Sequence, residues 1–96
     1  MRVISKKPLR DFWQRHSESK GVLEEWFKKA SKCTAHSFPQ LRQTFQTADY
    51  VDGMTVFDVG GNRYRLVAVI HYDKQRLYVR HVMTHAEYDR NAWRKP

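Results

Sequence analysis

Apolar residues recur with helical spacing along the first half of the chain and alternate as in strands along the second. Leu9, Phe12, Trp13 and His16 fall at i, i+3, i+4 and i+7, one stripe of an amphipathic helix. The predicted helix runs from Lys6 to His16, with Ser5 as its cap and Pro8 in the first turn, where a missing N–H is tolerated. Gly21 marks a break. Val22, Leu23, Trp26, Phe27 and Ala30 form a second stripe. Glu24 with Lys28 and Glu25 with Lys29 make favourable i, i+4 pairs on its wet side. A third short helix is predicted from Ser37 to Phe45, capped by Ser37, with Pro39 near its start and Leu41 and Phe45 turned inward. Met1 to Ser5 reads as a short strand.

From Met54 the period changes to two. Met54 to Val59 alternates, and Gly60-Gly61-Asn62 is a hairpin turn in which glycine supplies the positive φ such turns need. Arg63 to Tyr72 and Arg76 to Met83 are two longer β-rich runs around a turn at Asp73-Lys74-Gln75. Thr84 to Trp93 is predicted as a last turn or short helix, with Thr84 as cap and Glu87 at the third position. The expected fold is α+β: N-terminal helices packed on one face of a small antiparallel sheet, followed by a short C-terminal helix. One domain is expected over residues 1–96.

Alternation predicts which side chains share a sheet face. Tyr64, Leu66, Ala68 and Ile70 are expected to meet the helices; Arg63, Arg65, Val67, Val69 and His71 point the other way. On the next strand Leu77, Val79 and Met83 alternate with Arg76, Tyr78, Arg80 and Val82. An even connecting loop puts Arg65 and Arg80 on the same open face, and an odd one separates them. The even loop is expected, because it keeps Arg80 out of the core. Asp58 then lies across from Arg63 or Arg65.

Charge narrows the partners. The 96 residues hold 18 Lys and Arg against 10 Asp and Glu, a net +8, with 14% aromatic residues. The aromatic share argues against a disordered basic tail, and the excess positive charge calls for an anionic partner. Residues 1–48 contribute 10 − 4 = +6 of it and residues 49–96 contribute 8 − 6 = +2. The longest aliphatic run, Leu66 to Ile70, is far too short to span a bilayer, and the first ten residues have no apolar signal core, so no membrane role is expected. Cys33 is the only cysteine, which leaves no internal disulfide and fits a reducing, cytoplasmic setting.

The expected open face carries Arg65, Arg80 and Tyr78, with His85 and Tyr88 just past the strand end. Guanidinium groups bind phosphate by paired hydrogen bonds; tyrosine and histidine stack on bases or move a proton near neutral pH. That combination suits single-stranded RNA and cleavage of its phosphodiester. The plainer reading is a solvated arginine paired with Asp58, and His85 and Glu87 serving only a helix start. His81 and His85 are four apart but straddle a strand end without a third ligand, so neither a metal nor a cofactor is expected. No G-x-S-x-G and no phosphate-binding loop is present.

Several separated motifs together resemble the HigB toxins of the RelE-like mRNA interferase superfamily over nearly the whole length. They are Leu9 with Phe12-Trp13, Trp26-Phe27, Ala48-Asp49-Tyr50-Val51, Val56-Phe57, Gly61-Asn62 with Tyr64-Arg65-Leu66, and Val79-Arg80 followed by Thr84-His85 and Glu87-Tyr88-Asp89. Two departures stand out: Asp58 where such proteins often have Asn, and no Trp between Lys32 and Ser37. The resemblance implies a bacterial type II toxin that cuts mRNA, often in the ribosome, without a metal, by attack of the ribose 2′-OH. It implies a HigA-like helix-turn-helix antitoxin as partner, with operator DNA bound only through their complex. It also implies roles: Arg65 and Arg80 on the scissile phosphate, His85 as general acid or base, and Tyr88 stacking or sharing the proton. Asp89 would orient His85 or cap the last turn, and Arg63, Tyr78 and Asn62 would contact RNA, Asn62 chiefly as a turn former. A non-catalytic nucleic-acid-binding module and an inactive relative that only pairs with an antitoxin are the alternatives.

Overall fold

The computed structural model describes residues 1–90 and residue 93. Among these, the chain runs β1 (Arg2–Ile4), α1 (Lys7–Arg15), a 3-10 turn (Ser17–Ser19), α2 (Lys20–Lys32), α3 (Phe38–Thr44), β2 (Asp49–Val51), β3 (Met54–Val59), β4 (Tyr64–His71), β5 (Arg76–Thr84) and α4 (His85–Asp89). The strands form one sheet in the order β1-β5-β4-β3-β2. From β2 to β5 the neighbours are antiparallel, as expected, while β1 adds a parallel edge to β5, with Val3 opposite Leu77. The α+β class with helices on one sheet face and a short C-terminal helix is the observed one. No described helix is long and apolar enough to cross a membrane.

The helical stripes bury as their spacing predicts. Leu9 and Phe12 of α1, Leu23, Trp26 and Ala30 of α2, and Leu41 of α3 join Phe45 against Phe57, Tyr64, Leu66, Ala68, Leu77 and Val79 of the sheet. Phe57 sits between two rings, edge-on to Trp26 at 5.3 Å and to Phe45 at 4.9 Å, the geometry aromatic quadrupoles favour. The caps divide. Ser37 caps α3 by accepting from the Gln40 N–H at 3.3 Å. Ser5 does not cap α1: it adopts φ +70° and turns the chain out of β1, so Lys6 is the capping position and contributes no side-chain bond. Gly21 falls inside the first turn of α2, and the break predicted there is the 3-10 turn just before it. At the other end of α2, the Met1 ammonium donates to the carbonyls of Ala30, Ser31 and Cys33, where helical C=O groups lack partners of their own.

The far face of the sheet is less open than alternation implies. Val56, Val67, Met83 and Trp93 form a second small cluster there, with Val51, Met54 and Tyr88 packed against it. Met83 reaches this face because β5 changes parity. The loop Tyr72 to Gln75 has four residues and pairs His71 with Arg76, but between Val67 and Ala68 the register slips, so Val67 faces His81 and Ala68 faces Val79. Arg80 is the extra residue of this β-bulge. Before it Leu77 and Val79 face the helices; after it Val82 does, and Met83 faces away. The expected pairing of Met83 with Leu77 and Val79 on one face is therefore corrected.

Candidate functional site

Asn62, Arg65, Asp58, His85, Tyr88 and Asp89 converge at the end of the sheet where the β3–β4 turn meets the start of α4. Arg65 is the hub. Strand register sets it opposite Asp58 and Met83, and its Nε lies 3.1 Å from Asp58 Oδ1. Nη1 donates to the carbonyls of Tyr64 (3.1 Å) and Asn62 (3.4 Å), and Nη2 donates to Asn62 Oδ1 at 2.6 Å. Nη2 also stands 3.3 Å from His85 Nδ1. Every guanidinium nitrogen thus has a partner, and the residue is only 8% exposed. Arg65 is a buried fork that ties strand, turn and helix together; it does not hold its donors out to solvent. The plainer reading of an arginine paired with Asp58 is correct as to the pair and incomplete as to the rest.

His85 is held at both nitrogens. Nδ1 lies 3.1 Å from the Asn62 carbonyl and Nε2 lies 3.0 Å from Asp89 Oδ2. A proton on Nδ1 satisfies the carbonyl and one on Nε2 satisfies the carboxylate. The carbonyl side is the one next to the buried Arg65. The carboxylate side is wet, with the Asp89 side chain 63% exposed. Such a carbonyl anchor fixes the orientation of the ring and leaves its other nitrogen as the accessible one. The Arg65 guanidinium lies over the Tyr88 ring at 5.7 Å, and Tyr88 stacks on Trp93 at 5.3 Å with the rings 13° apart. An aromatic shelf therefore runs beside the charged cluster.

The local sequence explains why α4 starts here. Thr84 accepts from the Glu87 N–H at 3.2 Å while Glu87 accepts from the Thr84 N–H at 2.9 Å, a complete capping box as predicted. The first helical residue is then His85, so the cap delivers the histidine to the strand end. The backbone N–H of Thr84 is the main reason the Glu87 carboxyl ionises below its ordinary 4.5. Lowering sets the sign: the cap's contribution is complete above that ordinary value and is lost as pH falls through the depressed one. His81 is also lowered from 6.5, by burial first and then by Arg80, so the unfolded chain takes up its proton more readily and stability falls on acidification from that value downward. Glu87→Ala is expected to flatten the acid limb of the stability curve, and Thr84→Ala to remove about 1 kcal/mol at neutral pH; urea unfolding as a function of pH checks both.

The other predicted positions lie elsewhere. Arg63 precedes β4 and turns to the helical side, where Nη2 donates to the Tyr64 hydroxyl at 3.2 Å; its expected place on the far face with Arg65 is corrected. Tyr78 packs edge-on against His71 at 5.2 Å, and the exposed Arg80 lines a groove with them. Arg80 shares a face with Arg65 but stands three residues along β5 from Met83, the partner of Arg65, about 10 Å at strand rise. His81 and His85 gather no third ligand: among the described residues no three His, Cys, Asp or Glu side chains form a group able to hold a metal. Asn62 was expected as a turn former, and the structure adds two acceptor roles. Trp93 enters the site without any cue from periodicity. Of the expected stretch Thr84 to Trp93, residues 91–92 lie outside the described residues.

Comparison with known proteins gives the same direction. A family model described as HigB_toxin, RelE-like toxic component of a toxin–antitoxin system, matches residues 19–91. The mRNA interferase toxin HigB of Escherichia coli (strain K12) is 35% identical over 92 residues, covering 93% of this chain and 88% of the relative. The mRNA interferase HigB of Shigella flexneri has the same identity and coverage. The mRNA interferase HigB of Escherichia coli O6:H1 is 29% identical over 93 residues, 94% of this chain and 90% of the relative.

Proposed function

Because the chain belongs to the HigB toxin family, the RelE-like toxic components of toxin–antitoxin systems, we propose that it is an mRNA interferase whose cutting site is the His85 cluster. The observation that carries the reading is the His85 ring, anchored through Nδ1 on the Asn62 carbonyl and presenting Nε2 on the wet side beside Asp89. In this reading the ribose 2′-oxygen attacks the adjacent phosphorus and the P–O5′ bond breaks. The 2′-OH proton leaves to a base, a proton is delivered to O5′, and the products are a 2′,3′-cyclic phosphate and a 5′-OH. His85 Nε2 serves one of these transfers. Arg65 is a positioning residue: its donors hold Asp58 and Asn62, and through Asn62 the His85 ring, and its charge acts on the developing negative charge through space. Tyr88, stacked on Trp93 with Arg65 over its ring, forms the wall of the site, and Arg80, its guanidinium unengaged among the described residues, meets the phosphate backbone. No metal is used.

The partners follow the same reading. Cleavage takes place on mRNA in the ribosome, in the cytoplasm. A HigA-like helix-turn-helix antitoxin neutralises the chain, and operator DNA is bound only through that complex. The test uses ribosomes programmed with an mRNA carrying one 2′-deoxynucleotide at a position cut in the all-ribose message. The deoxy message is expected to survive at that position while other positions are cut, and the cut ends to carry cyclic phosphate and 5′-OH. Cleavage at the deoxy position, or 5′-phosphate ends, would show attack by water and overturn the mechanism. Retention of mRNA without any cut would mark a non-catalytic binder.

A further inference from the structure

A second feature of the same sheet face stands apart from the His85 cluster. β1 pairs with β5 only as far as Ile4 opposite Tyr78. Ser5, at φ +70°, then turns away, so among the described residues no strand pairs with β5 on that side from there on. The bulge falls at this point and re-aims Arg80 outward, the recurrent effect of an extra residue in a strand. The result is a groove of about 310 Å³ lined by Ser5, Val69, His71, Tyr78, Val79 and Arg80. That volume is at the small end of the roughly 300–1,000 Å³ usual for ligand sites, which suits one nucleotide and nothing much larger. The His71 ring stands edge-on to Tyr78 at 5.2 Å, 61° between planes, and steadies the tyrosine as one wall. Among the described residues no hydrogen bond or ion pair engages the Arg80 guanidinium, in contrast to the fully engaged Arg65.

We propose that this groove binds one unpaired nucleotide flanking the cut, its base against Tyr78 and its phosphate on Arg80. The proposal rests on the reading of the chain as an RNA-cutting toxin, and it separates two arginines that sequence alternation places side by side. Arg80 begins the path of the strand across the sheet; His85, five residues further on, ends it at the cutting site. Along the β5 axis that distance is about 15 Å, so the groove holds a neighbour of the scissile linkage and not the linkage itself. A tyrosine ring stacks on any base, so the groove gives grip with little choice of base.

The test is RNA binding, measured apart from cleavage. A short fluorescent single-stranded RNA, 2′-deoxy at the cut position so that it stays whole, is titrated with wild-type chain, Tyr78→Ala, Tyr78→Phe and Arg80→Ala, each checked for an unchanged melting curve. Tyr78→Ala is expected to bind about tenfold more weakly, the loss of one base stack, while Tyr78→Phe binds as wild type. Arg80→Ala is expected to weaken binding and to make it less sensitive to salt. An abasic nucleotide at one flanking position should weaken the wild type as much as Tyr78→Ala does, and weaken Tyr78→Ala no further. Equal binding by wild type and Tyr78→Ala, further loss for the variant with every abasic RNA, or no binding by the wild type would overturn the proposal. Failure of the nuclease reading has a different signature: all-ribose RNA bound in the groove as described yet never cut, on or off the ribosome.

Discussion

His85→Ala is expected to lower single-turnover cleavage of mRNA by about a hundred- to ten-thousandfold, the range supplied by a positioned general acid or base, with the fold intact. His85 is 38% exposed at its side chain and its ring belongs to neither buried cluster, so its removal opens no core cavity. Melting temperature and RNA binding should stay near wild type while the rate collapses. Asp89→Asn should cost much less, because Asn62 holds the ring at Nδ1 independently of the carboxylate. If His85→Ala cuts at the wild-type rate, the proton transfers belong to another group and the site is wrongly placed.

Arg65→Ala is expected to damage stability and activity together. The substitution removes the guanidinium donors of Asp58, the Asn62 side chain and the Tyr64 carbonyl, and leaves the Asn62 carbonyl with His85 alone. Leaving buried acceptors without donors costs about 1–3 kcal/mol each, and Asp58, 30% exposed at its side chain, recovers part of that from water. A net loss of about 3 kcal/mol is expected, which for a domain of this size lowers the melting temperature by roughly 12–24 °C. Arg65→Lys separates charge from shape. The ammonium keeps the positive charge but cannot span Asp58, Asn62 and Tyr64 at once. Little recovery of either stability or cleavage is therefore expected. Full recovery in Arg65→Lys would mean that charge alone matters and that the fork has no positioning role. Thermal unfolding and cleavage assays on both variants decide it.

Much of this architecture is legible in the amino-acid order. The i, i+3, i+4 stripes of Leu9–Phe12 and Leu23–Trp26 give the helical layer, and alternation correctly sends Tyr64, Leu66, Ala68 and Ile70 to it. An even β4–β5 loop and a place for Asp58 across from Arg63 or Arg65 are also legible, and the register selects Arg65. The limits are equally specific. Of the two three-residue strands, β1 is legible in Met1 to Ser5 and β2 is not, although Asp52-Gly53, both at positive φ between β2 and β3, is a hairpin signal that periodicity alone passes over. A bulge leaves no mark on hydrophobicity, so the change of face at Arg80 is invisible until the register is seen. Nor does alternation reveal that Arg65 is buried, since that depends on α4 and Trp93 folding over the sheet end. The motif containing Thr84, His85 and Asp89 locates the site; only the geometry shows that Asn62 anchors His85 and that Arg65 is already spoken for.

The most direct measurement of the central claim is primer extension on cellular mRNA after induction of wild-type chain and of His85→Ala in bacteria. New 5′ ends at discrete positions within coding sequence, present with the wild type and absent with the variant at equal protein level, are the predicted result. The same ends with both proteins, or growth arrest by the wild type without new ends in any message, would contradict it.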